Sequence, residues 1–202
     1  MRLDHIAYRV ADRRKTVDFF MKAFNYSIQT EFDLDFDDGS KVKCYALVPP
    51  EKWCECPWTS VVEFGHVNDP RVASHNGSNS ISRIDYHLAP EIFVSDGDPD
   101  SIVGKWVAKR DGIGGIHHLA YQVDSVQAKM DEWKKNGYAE FTTENPLTCP
   151  GLVQCFTKPS DLTGVIYEFI ERGEHGFCKD NVKSLMESTK DLETLVRTDL
   201  VQ

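Results

Sequence analysis

Leu3-Asp4-His5-Ile6-Ala7-Tyr8-Arg9-Val10 returns 113 residues later as Ile116-His117-His118-Leu119-Ala120-Tyr121-Gln122-Val123, with His5 and His118 in the same place. The same offset carries Asp18, Phe20 and Lys22 onto Asp131, Trp133 and Lys135. A fixed offset over a strand-like and then a helix-like stretch marks one supersecondary unit used twice. If the two copies pack about a pseudo-twofold axis, their histidines face one another across a shared cleft.

Outward from these strands, both copies read alike. Val17, Phe20, Met21 and Phe24 recur at helical spacing after the first, and Val126, Met130 and Trp133 after the second. Asp12 and Asp124 or Ser125 suit helix N-caps, while Asn25 and Gly137 sit where helices stop. Further strands are expected over 26–32, 41–48 and 90–95 in the first copy, and over 139–143, 152–157 and 165–170 in the second. The order is βαβββ twice. The fold class expected is α+β, with paired βαβββ modules forming an open barrel-like cup and a C-terminal helix.

The modules are expected at 1–110, with an insertion near 50–86, and at 111–172, leaving a helical tail at 173–202. The insertion contains Pro49-Pro50 at its start, Cys54, Cys56, His66 and His75, and an excursion of this length reads as a lid, arm or substrate wall. A zinc knuckle built on Cys54, Cys56, His66 and His75 is disfavoured, because CxC spacing and the absence of an HxxxH rhythm do not match such sites. In the tail, Val182, Leu185, Met186, Leu192, Leu195 and Val196 form an apolar stripe that would dock across both modules.

Among 202 residues, 41% are hydrophobic, enough to bury a full core. The net charge of −9 disfavours phosphate tracking along nucleic acid. No apolar run approaches the ~20 residues of a membrane span, so cytoplasmic residence and six reduced cysteines are expected.

The chemistry concentrates at the repeated strand. His5 and His118, with Glu168 and its apparent counterpart Glu91 on the closing strands, form a candidate quartet of metal ligands. Two imidazoles and one carboxylate with open positions constitute the facial triad of non-haem iron(II) oxygenases. A fourth protein ligand would leave too little room for a chelating substrate and dioxygen together, so Glu91 separates reaction classes. His117, adjacent to His118, is expected on the opposite face of its strand by alternation, in a structural or supporting role.

The chain resembles the vicinal oxygen chelate superfamily, which includes glyoxalases, bleomycin resistance proteins and dioxygenases. Leu152-Val153-Gln154-Cys155-Phe156-Thr157-Lys158-Pro159, then Tyr167-Glu168-Phe169-Ile170-Glu171-Arg172, then Gly176-Phe177-Cys178-Lys179-Asp180-Asn181 resemble the 4-hydroxyphenylpyruvate dioxygenase branch. By contrast, residues 100–109 leading into Gly114-Gly115-Ile116-His117-His118 are similar to methylmalonyl-CoA epimerases. The first resemblance implies iron held by His5, His118 and Glu168, with Gln154, Phe156 and Phe177 serving the substrate cavity. It implies an iron(II)-dependent dioxygenase acting on a 2-oxo acid or similar small carboxylate. The second implies a metal-dependent epimerase or lyase of the epimerase or glyoxalase type. Cobalt, nickel, zinc and manganese are the alternatives to iron. Expected partners are a small-molecule carboxylate and no nucleic acid or membrane, with a homodimer as a candidate assembly.

Overall fold

The computed structural model describes residues 1–50, 89–173, 177, 179–190 and 192. The insertion with its cysteines and histidines, and Leu195 and Val196 of the tail stripe, lie outside the described residues. The chain divides into two units, Met1–Pro49 with Pro90–Gln202, and Pro50–Ala89. All elements below belong to the first.

The first copy runs through β1 (Arg2–Arg9), α1 (Arg13–Phe24), β2 (Ser27–Asp35), β3 (Lys41–Val48) and β4 (Glu91–Gly97). After α2 (Ile102–Ala108), the second copy runs through β5 (Gly115–Gln122), α3 (Val126–Asn136), β6 (Leu147–Cys149), β7 (Leu152–Phe156) and β8 (Ile166–Arg172), followed by α4 (Lys179–Ser188). Among the described residues no helix is long and apolar enough to cross a membrane.

The helix ends follow their sequence signals. Asp12 and Ser125 cap α1 and α3 by accepting from the backbone N–H of Lys15 and Ala128. Asn25 and Gly137 end these helices at φ 57° and 67°, the left-handed conformation that stops a helix.

All eight strands form one curled sheet in the order β2-β3-β4-β1-β5-β8-β7-β6. The order is symmetric about its centre, where β1 and β5 pair antiparallel, and each opening strand pairs parallel with the closing strand of its own copy. Two half-cups are thereby joined along their opening strands. Gly114 permits this approach, since a Cβ there would lie 2.7 Å from the Arg9 carbonyl oxygen.

The central pairing carries two irregularities, and both fall beside the repeated histidines. Along β1, Leu3 pairs with Tyr121 and His5 with Ala120, so Asp4 is an extra residue; along β5, Ala7 pairs with His118 and Tyr8 with Ile116, so His117 is another. Each is a β-bulge that interrupts the inside–outside alternation.

Two expectations are corrected here, and one unforeseen helix is added. The strand expected over 139–143 is reduced to a single bridge, Phe141 to Thr157, and the paired strand lies later at β6. Thr142 N–H and Lys158 N–H still bond across to Phe156 and Glu140 carbonyls, so this segment flanks β7 without joining a ladder. The seven-residue α2, capped by the Ser101 hydroxyl on Gly104 N–H, was not expected as a helix. His117 is buried in the cleft rather than on the opposite face, because its bulge turns it inward.

Val182 and Met186 of α4 join the core that contains Leu34, Val42 and Phe93, while Leu185 packs with Phe156 and Ile166. One helix thus seals against apolar surface from both copies. Asn181 Nδ2 donates to the Leu147 carbonyl of β6, and Lys183 pairs with Asp37 just beyond β2, so α4 also ties the two outermost strands.

Candidate metal centre

His5, His118 and Glu168 converge inside the cup, and all three are buried. His5 Nε2 lies 3.3 Å from His118 Nε2 and 3.3 Å from Glu168 Oε2, and His118 Nε2 lies 3.0 Å from the same oxygen. For bonds of about 2.0–2.2 Å, mutually cis donors on an octahedral ion stand about 2.8–3.1 Å apart, and tetrahedral donors somewhat farther. The observed triangle suits three donors on one face of a metal ion.

The two bulged residues fix the rings. His5 Nδ1 donates to Asp4 Oδ1 at 2.7 Å, which leaves the Nε2 lone pair directed at the triangle's centre. His117 and His118 meet through their Nδ1 atoms at 2.9 Å. With His118 Nδ1–H donating and His117 Nδ1 accepting, the His118 Nε2 lone pair also points inward. Burial, and after it the charge of Arg9, keeps His117 neutral and able to accept. Outer partners of this kind set tautomer and ring orientation at metal sites.

Two lone pairs and a carboxylate in one buried triangle repel unless a cation sits among them. In the metal-free protein that cation is a proton. Burial opposes the His5 imidazolium, but the Glu168 and Asp4 carboxylates outweigh it and raise His5 to about 9. Burial likewise disfavours the Glu168 anion, yet His5 and His118 drive its pKa down. The donor chemistry therefore fits a divalent metal, which would take the place of the shared proton.

Glu91 is not brought into this group. Its carboxylate pairs with Arg172 at 2.9 Å, and Arg172 also pairs with Asp4 at 2.6 Å. The register explains the separation: His5 is paired with Glu91 and Ala7 with Phe93, whereas His118 is paired with Ile166 and Ala120 with Glu168. Phe93, rather than Glu91, is the counterpart of Glu168. The apparent equivalence of the two glutamates is a slip of two residues, and the quartet becomes a triad.

The other expected site residues line the cavity next to the triad. It measures about 30 Å³, room for a water or two, and is lined in part by Gln154, Phe156 and Phe177. Phe156 stands 4.7 Å from the His118 ring and Phe177 5.1 Å from the His5 ring, centre to centre. Arg172 lies 4.4 Å from the Phe177 ring centre, a cation–π contact that ties this aromatic to the Asp4 network. Gln154 is buried with its Nε2 lacking a hydrogen-bond partner, an unmet donor in the cavity wall. Sequence reasoning missed Asp4, Arg172 and Arg9 as parts of this site; an acidic residue directly before one repeated histidine was the available signal for Asp4.

A family model for the Glyoxalase/Bleomycin resistance protein/Dioxygenase superfamily matches residues 4–148. The chain belongs to this superfamily. Solved structures of this superfamily's fold resemble it at low identity. A 4-hydroxymandelate synthase mutant from Streptomyces coelicolor aligns with TM-score 0.65 and 18% identity, over 94% of this chain and 53% of that one. This chain thus spans about half the synthase's length. A methylmalonyl-CoA epimerase aligns with TM-score 0.58 and 19% identity, over 86% and 97% of the two chains. The epimerase from Mycobacterium tuberculosis gives 0.55 and 18%, over 85% and 88%. No curated protein matches the chain in sequence.

Proposed function

We propose that this superfamily member is an iron(II)-dependent dioxygenase acting on a 2-oxo acid or a similar small carboxylate. The observation that carries this reading is the three-donor set, with Glu91 held away by Arg172 and Phe93 occupying the position where a symmetric fourth donor would stand. Held by His5, His118 and Glu168 alone, an iron ion would keep room for a chelating oxo acid together with a co-substrate, which a fourth protein donor would take away. Bound iron(II) supplies the redox chemistry, with oxidation coupled to loss of carbon dioxide from the oxo acid.

The chain's own residues do the rest. Asp4 and His117 hold the imidazoles in the donor tautomer. Gln154 Nε2 is free to donate to a substrate oxygen. Phe93, Phe156 and Phe177 exclude water around the open positions, which protects a reactive centre.

An epimerase or lyase that moves its proton with a carboxylate would need one free of the metal. Among the described residues lining the cavity, Glu168 is the sole carboxylate, and it belongs to the donor triangle. Oxygen uptake by anaerobically iron-loaded protein across a panel of 2-oxo acids, with carbon dioxide released in equal amount, tests the reading. Deuterium incorporation at an acidic carbon in D2O without oxygen uptake would move the assignment to the epimerase class.

A further inference from the structure

Arg9 is the last residue of β1, on the inward-facing series with His5 and Ala7, and it lies about 13 Å along the strand from His5. Its side chain is buried at 3% exposure, yet no carboxylate among the described residues pairs with it. Its Nη2 donates to the Thr189 hydroxyl at 3.2 Å, a neutral partner. An unneutralised buried cation is costly and needs a counter-charge. Burial accordingly pushes the Arg9 pKa down.

Arg9 borders two cavities. One contains the triad; the other, of about 190 Å³, is lined among the described residues by Arg9, Trp106, Lys105, Lys109 and Lys190, with Asp38 as its one carboxylate. Trp106 is 6% exposed, and its Nε1–H has no hydrogen-bond partner. The Trp106 ring centre is 6.0 Å from the Arg9 guanidinium. A buried guanidinium, an unmet indole N–H and three lysines around one cavity form an oxyanion receptor.

We propose that this second cavity is an oxyanion subsite, and that the substrate is a compact molecule carrying a carboxylate or phosphate several bonds from its metal-chelating oxygens. The proposal rests on the metal-site reading above for the chelating end alone. Arg9 receives the distal oxyanion directly, while the lysines gather it from solvent. The net negative charge of the chain makes such a local cation cluster necessary for an anionic ligand.

The test compares 2-oxoglutarate with 2-oxopentanoate, equal in chain length and differing in the distal carboxylate, by calorimetric titration of anaerobic iron(II)-loaded protein. The dicarboxylate should bind at least about tenfold more tightly, as expected for one charge-assisted contact. In Arg9→Met the ratio of the two affinities should fall to about one, with 2-oxopentanoate binding by the same variant as the internal reference for any change at the metal end. Equal binding in the unmodified protein, or a preference that survives Arg9→Met, overturns the subsite for carboxylates.

The phosphate arm is independent of the metal. Inorganic phosphate should raise the melting temperature of the metal-free protein, and lose that effect in Arg9→Met and in the exposed-helix double variant Lys105→Ala/Lys109→Ala. The double variant keeps the arm informative should Arg9→Met fail to fold. A phosphate response with no binding of either oxo acid retains the subsite and overturns the metal-chelating end. Failure of both arms, with metal still bound, overturns the subsite and leaves the metal reading standing.

Discussion

Asp4 and His117 are the bulged residues of β1 and β5, and each bonds through the ring Nδ1 of the histidine that follows it. A bulge puts two consecutive side chains to use on one side of a sheet, so a candidate ligand and its orienting partner come from adjacent positions. The device occurs once in each copy, with a carboxylate in the first and an imidazole in the second. Asp4 is in turn anchored by Arg172.

Removing the first orienting group should loosen the metal without emptying the site. Asp4→Ala is expected to weaken metal affinity by roughly 10- to 100-fold, the range typical of outer partners. Chelator competition measures it, with circular dichroism confirming the retained fold.

Donor and bystander glutamates should separate cleanly. Glu168→Ala or His118→Ala is expected to abolish stoichiometric metal binding, while Glu91→Gln leaves it intact. Loss of metal in Glu91→Gln would contradict the assignment of Glu91 to Arg172.

In the metal-free protein, the proton-sharing pair sets a pH window. His5 is raised from 6.5 to about 9, so its contribution to stability is full below about 6.5 and is lost as pH rises through about 9. Glu168 is lowered from 4.5, so its contribution is present above 4.5 and is lost as pH falls toward its depressed pKa. Metal-free protein should therefore melt highest between about pH 4.5 and 6.5 as far as this pair is concerned. Metal binding must release the His5 proton, so metal affinity should increase with pH up to about 9. Melting curves and metal titrations across pH check both signs.

Phe93→Glu would place a second carboxylate where the register puts the counterpart of Glu168. The expected result is metal retained at equal or greater affinity with oxygen uptake lost, since the fourth donor consumes an open position. Metal analysis and an oxygen electrode on the same preparation decide it. Unchanged oxygen uptake would show that the position opposite Glu168 does not face the ion.

Much of this was legible in the repeat. His5 and His118 declared their equivalence, and the caps Asp12, Ser125, Asn25 and Gly137 all stand where helix chemistry puts them. What stayed hidden has physical causes. A bulge of one residue leaves no mark in composition, so strict alternation put His117 outside. The Glu91 slip escaped because a shift of two residues preserves the inward–outward pattern of a strand, while a shift of one would have reversed it. Helix α2 has seven residues, too few for periodicity to declare itself. Arg9 gave no signal of its own, because sequence gives no measure of how deeply a charge is buried.

The replacement of a second carboxylate by Phe93 has an orientational consequence. Four donors related by a twofold axis would leave equivalent open positions, so a bound molecule could sit in either of two identical orientations. With an aromatic ring in one half and an anion in the other, those two orientations differ in energy. A ligand bound there would be held one way round.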